Sequence, residues 1–199
     1  MDKHQQVKTV ITDFIKFYHV FFVMSSLTQT VRRVNNGPCY FVAHLVGRVL
    51  TEKYGITVNY RSHCLHGWLN VDGVDYDSLY PSGYDKPVVD EWWLARRRYN
   101  ERVMELGTSG DVGYTPTGYD YHYFAKAFFE RWGVSESDVV GETLNCVSYY
   151  WKNKSTRRRR NARFKRRYLK YRTLPLFEYD KSVENLTGPH THYYKGEFE

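Results

Sequence analysis

Cys39, His66 and Asp77 follow one another along the chain as the residue types that thiol-based acyl transfer requires. That chemistry needs a sulfur held as thiolate, an imidazole that takes up and returns a proton, and a group that orients the imidazole. A cysteine at a helix start meets the first need. The helix dipole and the unpaired backbone N–H groups favour the thiolate, and the same N–H groups can hold an oxyanion. Asn35-Asn36-Gly37-Pro38 is a dense turn signal, and Pro38 suits the first turn of a helix that runs from Cys39 to Tyr54 and stops at Gly55.

The elements that must position the other two residues read as strands. His66 opens the segment His66-Gly-Trp-Leu-Asn-Val71, then come the dipeptide Asp72-Gly73 and a second extended run over residues 74–80. Asp-Gly between two such runs signals a hairpin. With the turn centred there, Asn70 faces Asp75, and Asp77 comes to the level of Trp68, one step along from His66.

The line His66-Gly-Trp68-x-x-x-Asp72-Gly73-x-x-Tyr76-Asp77, preceded by Cys39, resembles the strand pair of papain-like and transglutaminase-like cysteine hydrolases over about residues 35–83. The resemblance implies a helix packed on an antiparallel sheet, a thioester intermediate, and hydrolysis or transfer at an amide or ester. It makes Cys39 the nucleophile, His66 the general base and acid, and Asp77 the orienter. The backbone N–H of Cys39 then supplies part of the oxyanion hole, with Asn35 or Asn36 as a side-chain donor. The expected substrate is a protein or peptide carrying a peptide, isopeptide or glutamine side-chain amide.

Each residue also has a plainer reading: Cys39 as a small buried hydrophobe, His66 as a core or edge histidine, and Asp77 as an acceptor for turn amides. Their joint order on helix start, strand and turn favours chemistry. His63-Cys64-x-His66 with Cys39 offers a rival metal site. Adjacent residues on an extended chain point to opposite faces, however, so the spacing is poor for zinc, and no metal or cofactor is expected. Cys146 and His44 read as packing, and His190-x-His192 as solvated. Neither G-x-x-x-x-G-K-[ST] nor G-x-G-x-x-G occurs, which disfavours nucleotide hydrolysis and dinucleotide redox chemistry.

The 199 residues carry a net charge of +7 and are 42% hydrophobic, which suits one compact domain and excludes wholesale disorder. The longest apolar run is far short of a membrane span, and MDKHQQ is not a signal sequence, so a cytoplasmic protein is expected. Three cysteines form no disulfide framework. Small size and aromatic richness suggest a virus-encoded effector.

The charge is local. Residues 155–172 hold ten Lys or Arg and no acid, leaving 19 basic against 22 acidic residues elsewhere. Arg157, Arg158, Arg159, Arg160, Arg163, Arg166 and Arg167 are the candidate polyanion contacts, with Phe164, Tyr168 and Tyr171 recurring at helical spacing between them. The stripe either packs on the domain with a solvated basic back, or belongs to a helix that binds nucleic acid or another acidic partner. A non-enzymatic nucleic-acid-binding protein is therefore the alternative to a hydrolase.

Elsewhere the pattern predicts an amphipathic helix over residues 5–24, a strand over 56–60, a helix over 88–106 and a glycine-rich loop over 107–118. A helix over Tyr119–Trp132 follows, and Ser135-x-x-Asp138 resembles a capping box that opens a further helix toward Trp151. Residues 173–199 read as irregular. The fold class is α+β, with residues 1–153 as the catalytic-type domain and 154–199 as a basic helix and tyrosine-rich tail.

Overall fold

The computed structural model describes residues 2–35, 39–63, 66–84, 104–108, 119–135 and 154–183. Asn36, Cys64, Cys146, His190 and His192, residues 88–103 of the helix expected over 88–106, most of the glycine-rich loop and the helix after Ser135 lie outside the described residues.

The fold is α+β, with five helices and a small antiparallel sheet among the described residues. Helix α1 (Lys3–Phe22) forms because Val7, Val10, Ile11, Phe14, Ile15, Phe17, Tyr18 and Phe21 make a wide apolar stripe, all of it buried. Asp2 caps it by accepting the Gln5 N–H at 2.7 Å. Helix α2 (Leu27–Asn35), which the turn signals after it obscured, starts at Ser26, whose hydroxyl accepts the Gln29 N–H at 3.1 Å. Helix α3 (Cys39–Tyr54) stops just before Gly55, as its sequence predicts.

Strands β1 (Asn59–His63), β2 (His66–Val71), β3 (Val74–Tyr76) and β4 (Met104–Thr108) form one sheet in the order β3-β2-β1-β4. The hairpin register is the expected one: Asn70 pairs with Asp75, and Asp72 and Gly73 make the turn, both with positive φ. Three expectations are corrected. The first strand begins at Asn59, because Ile56 and Val58 are buried in the extended connection ahead of it. The second hairpin strand ends at Tyr76, where the Asp77 carboxylate takes the N–H groups of Leu79 and Tyr80 and turns the chain away. Met104–Thr108 is strand rather than helix or loop, because pairing with β1 outweighs the helix preference of Met, Glu and Leu.

Helix α4 (Tyr119–Trp132) ends before Gly133 and packs on α1 and α3. Helix α5 (Lys154–Tyr171) buries Phe164 and Tyr168 in the same core, with the Phe164 ring 6.2 Å from that of Phe21. Leu174, Phe177 and Val183 pack there too, and Lys181–Val183 forms a short 3-10 turn in a stretch that reads as irregular. Among the described residues no single helix is long and apolar enough to cross a membrane.

Asp13 ties these layers together. It is fully buried and accepts from Arg131 Nη1 at 3.0 Å and Nη2 at 2.6 Å, from Trp132 Nε1 at 2.9 Å, and from the Phe177 backbone N–H at 2.7 Å. Removing one partner of a buried, fully bonded pair strands the other charge. Asp13→Ala should therefore lose about 3–5 kcal/mol of stability in denaturant unfolding. A loss under about 1 kcal/mol, the range of exposed pairs, would show that the charge is not the pin described here.

Candidate active site

The fold brings Cys39, His66 and Asp77 together. Cys39 is the first residue of α3, where the N-terminal N–H groups of a helix have no intrahelical acceptor. His66 is the first residue of β2, and the strand approaches the helix closely because residue 67 is glycine. A Cβ there would stand 2.6 Å from the Tyr40 ring, so any side chain would push β2 off α3 and the imidazole off the sulfur.

His66 Nε2 donates to Asp77 Oδ2 at 3.0 Å, with both side chains almost wholly buried. The other ring nitrogen is left for the Cys39 thiol, whose electrostatic neighbours are His66 and the backbone N–H groups of Gly67 and Tyr40. The Trp68 ring lies 5.8 Å from that of His66, nearly parallel, and fixes the imidazole plane.

Asp77 serves two purposes at once. Its Oδ1 accepts the N–H groups of Leu79 at 2.8 Å and Tyr80 at 3.1 Å, the turn-capping role of the plainer reading. Its Oδ2 accepts His66 and also the Tyr84 hydroxyl at 2.7 Å. Tyr84 is an addition from the structure. Its only sequence signal was a tyrosine seven residues after the aspartate, on a loop the hairpin pattern leaves unplaced.

Of the two asparagines, Asn35 comes to the site. It is buried at the end of α2, its Oδ1 accepts the Ser78 hydroxyl at 3.3 Å, and with Cys39, Trp68, Asp77 and Ser78 it lines a cavity of about 10 Å³. Cys39 itself is only 4% exposed.

The electrostatics follow from these contacts. Burial alone would raise the Cys39 pKa, but the hydrogen bond and charge of His66, with the N–H groups of Gly67 and Tyr40, pull it below its ordinary value. Burial alone would lower that of His66, but the hydrogen bonds and charges of Asp77 and Cys39 raise it to about 9. Shifts of these opposite signs favour a thiolate–imidazolium pair at neutral pH. His44, later on α3, is pushed down to about 4 by burial and by the charge of Arg48, so it is a neutral packing group.

Of the seven candidate polyanion contacts, Arg159, Arg160, Arg163 and Arg167 line a groove near the C-terminal end of α1, joined by Arg33 of α2, which the sequence pattern had not flagged. Arg166 is exposed outside the groove, and for Arg157 and Arg158 only the helical backbone is described. Among the described residues no three His, Cys, Asp or Glu side chains gather to hold a metal ion. No protein-family model matches the chain, and no curated protein or solved structure matches it significantly.

The pair makes a direct prediction. Alkylation of Cys39 by iodoacetamide, followed by mass spectrometry, should already be fast near pH 6, below the range of an ordinary thiol. In His66→Ala the burial penalty is no longer offset, and the rate near pH 6 should fall at least about tenfold, the change in thiolate fraction for one pKa unit. Identical pH profiles in the two proteins would rule out an activated pair.

Proposed function

We propose that this chain is a cysteine hydrolase or acyltransferase of the papain-like or transglutaminase-like kind, acting on an amide bond of a protein or peptide. One observation carries the reading. A thiol at a helix start is electrostatically coupled to an imidazole whose far nitrogen is held by a buried carboxylate. Neither a packing cysteine nor a turn-capping aspartate needs that chain of contacts.

In the proposed reaction the Cys39 thiolate attacks the amide carbon, and the carbonyl electrons move to oxygen. The Cys39 N–H and the Asn35 side-chain amide, whose oxygen is engaged by Ser78, donate to that oxyanion. As the C–N bond breaks, the His66 imidazolium gives its proton to the departing nitrogen, and the acyl group stays on sulfur as a thioester. Water then attacks the thioester carbon with His66 as base, and the thiolate leaves to re-form the pair. An amine in place of water gives transfer. Asp77 keeps the ring oriented and its charge balanced throughout, with Tyr84 holding the carboxylate.

The test is a panel of fluorogenic peptide amides, isopeptides and glutamine peptides, with trapping of the thioester on Cys39 by intact-mass spectrometry. Wild type should turn over at least one class, and Cys39→Ala should abolish turnover while keeping the wild-type circular dichroism. Asn35→Ala should cut kcat by roughly 10²–10³, the usual worth of an oxyanion donor. Turnover that survives in Cys39→Ala would refute the assignment.

A further inference from the structure

Away from the sulfur, the described surface concentrates positive charge in one place. Arg33 at the end of α2 and Arg159, Arg160, Arg163 and Arg167 on one face of α5 line a single open groove of about 690 Å³. No Asp or Glu among the described residues lines it. Its remaining wall is Met24 and aromatic rings, with Phe22 and Tyr121 partly exposed and Phe164 beneath the arginines. The guanidinium carbons of Arg160, Arg163 and Arg167 lie 5.9, 5.9 and 5.2 Å from the centre of the Phe164 ring, so one ring gathers three cations. Arg33 reaches the groove from α2, with its charge beside the Tyr18 hydroxyl.

The composition of the groove narrows its occupant. Every lining cation is arginine, whose planar fork pairs with phosphate oxygens and stacks on flat rings. The volume exceeds what one phosphate fills, and exposed Lys165, Arg166 and Lys170 continue the charge along a helix about 27 Å long, which suits a polymer. An acidic peptide would use the charges and leave the ring faces idle. A duplex keeps its base faces stacked inside. A single strand presents phosphates and bare base faces together. We propose that this groove binds single-stranded nucleic acid, with phosphates on Arg33 and the α5 arginines and bases on Phe22 and Tyr121. From Ile11, beside the Cys39 cavity, the groove residues Tyr18 and Phe22 lie about 10 and 16 Å further along α1. The proposal does not depend on chemistry at Cys39.

Fluorescence anisotropy with the full chain and labelled single-stranded oligouridylate or oligothymidylate of about 15 nucleotides tests it. With four or five phosphates neutralised, affinity should fall about 50-fold between 50 and 200 mM salt, from a logarithmic slope of roughly −3. Arg33→Gln with Arg163→Gln should weaken binding about tenfold and reduce the slope by roughly 1.4. Lys165→Gln with Arg166→Gln removes the same charge outside the groove and should cost no more than about threefold. In wild type, a 4-thiouridine strand should photocrosslink to peptides containing Phe22, Tyr121 or Phe164, a readout that needs no variant. Any of four results would overturn the proposal: no salt-dependent binding, equal loss in both double variants, equal affinity for polyglutamate or a matching duplex, or crosslinks confined to other surfaces.

Discussion

A carboxylate without any exposure in the middle of a helix is tolerable only if its lone pairs are filled, and in Asp13 they are filled from three directions. Arg131 and Trp132 come from α4, and the Phe177 N–H comes from the segment that follows α5. Because these donors are fixed by one acceptor, the C-terminal chain cannot drift from α1 without leaving a charge unsolvated. Helix α1 thereby becomes the axis of the molecule. Near its start, His4 bonds the Tyr76 hydroxyl, Lys3 pairs with Asp72 at the hairpin turn, and Ile11 reaches the cavity beside Cys39. Near its end, Tyr18 and Phe22 form part of the arginine-lined groove.

The thiol–imidazole pair has a different thermodynamic character from that pin. Taken alone, His66 contributes stability that is complete below pH 6.5 and is lost as pH rises through about 9. Taken alone, Cys39 contributes stability that is complete above pH 9 and is lost as pH falls through its lowered value. Between those limits the two slopes oppose each other. Forming the pair moves a proton from sulfur to nitrogen within the protein and takes none from solvent, so the activated state costs little pH sensitivity of the fold. Asp77 is what allows this. One oxygen is committed to the turn amides, which holds the carboxylate still, and the other is left for the imidazole and Tyr84.

Legibility in the sequence tracked the range of the forces involved. The span of α3, the Asp72-Gly73 hairpin and the facing of Asn70 and Asp75 were readable, because turn chemistry and strand alternation are local. Cys39, His66 and Asp77 could be placed near one another by the same arithmetic. Strand β4 was misread, since its pairing with β1 joins residues more than 40 positions apart and nothing local in Met-Glu-Leu-Gly-Thr announces it. Helix α2 was hidden beneath the turn signal that ends it. Arg33, Tyr84 and Ser78 were missed because each matters only through a neighbour that the fold supplies: Tyr18, Asp77 and Asn35 respectively. The basic segment packs its aromatic stripe on the domain, with Phe164 and Tyr168 buried while Arg160 and Arg163 face outward.

What joins the two regions is a close-packed aromatic interior. Phe41, two residues after Cys39, meets Tyr121 edge-on at 5.0 Å and Phe14 at 6.2 Å, and Phe124 packs against Phe14, Phe17 and Tyr18 behind them. Such an interior has well-defined rotamers and little free volume, so it fixes the start of α3 relative to the groove and leaves no hinge between them. On the proposed readings, a protein target that travels with a strand held in the groove is therefore brought toward the sulfur at a set reach. Docking of this kind raises the effective concentration of an acyl group without enlarging the pocket around it. A site whose own cavity is small and whose thiol is nearly covered, as at Cys39, is the kind of site for which a remote docking surface contributes most to selectivity.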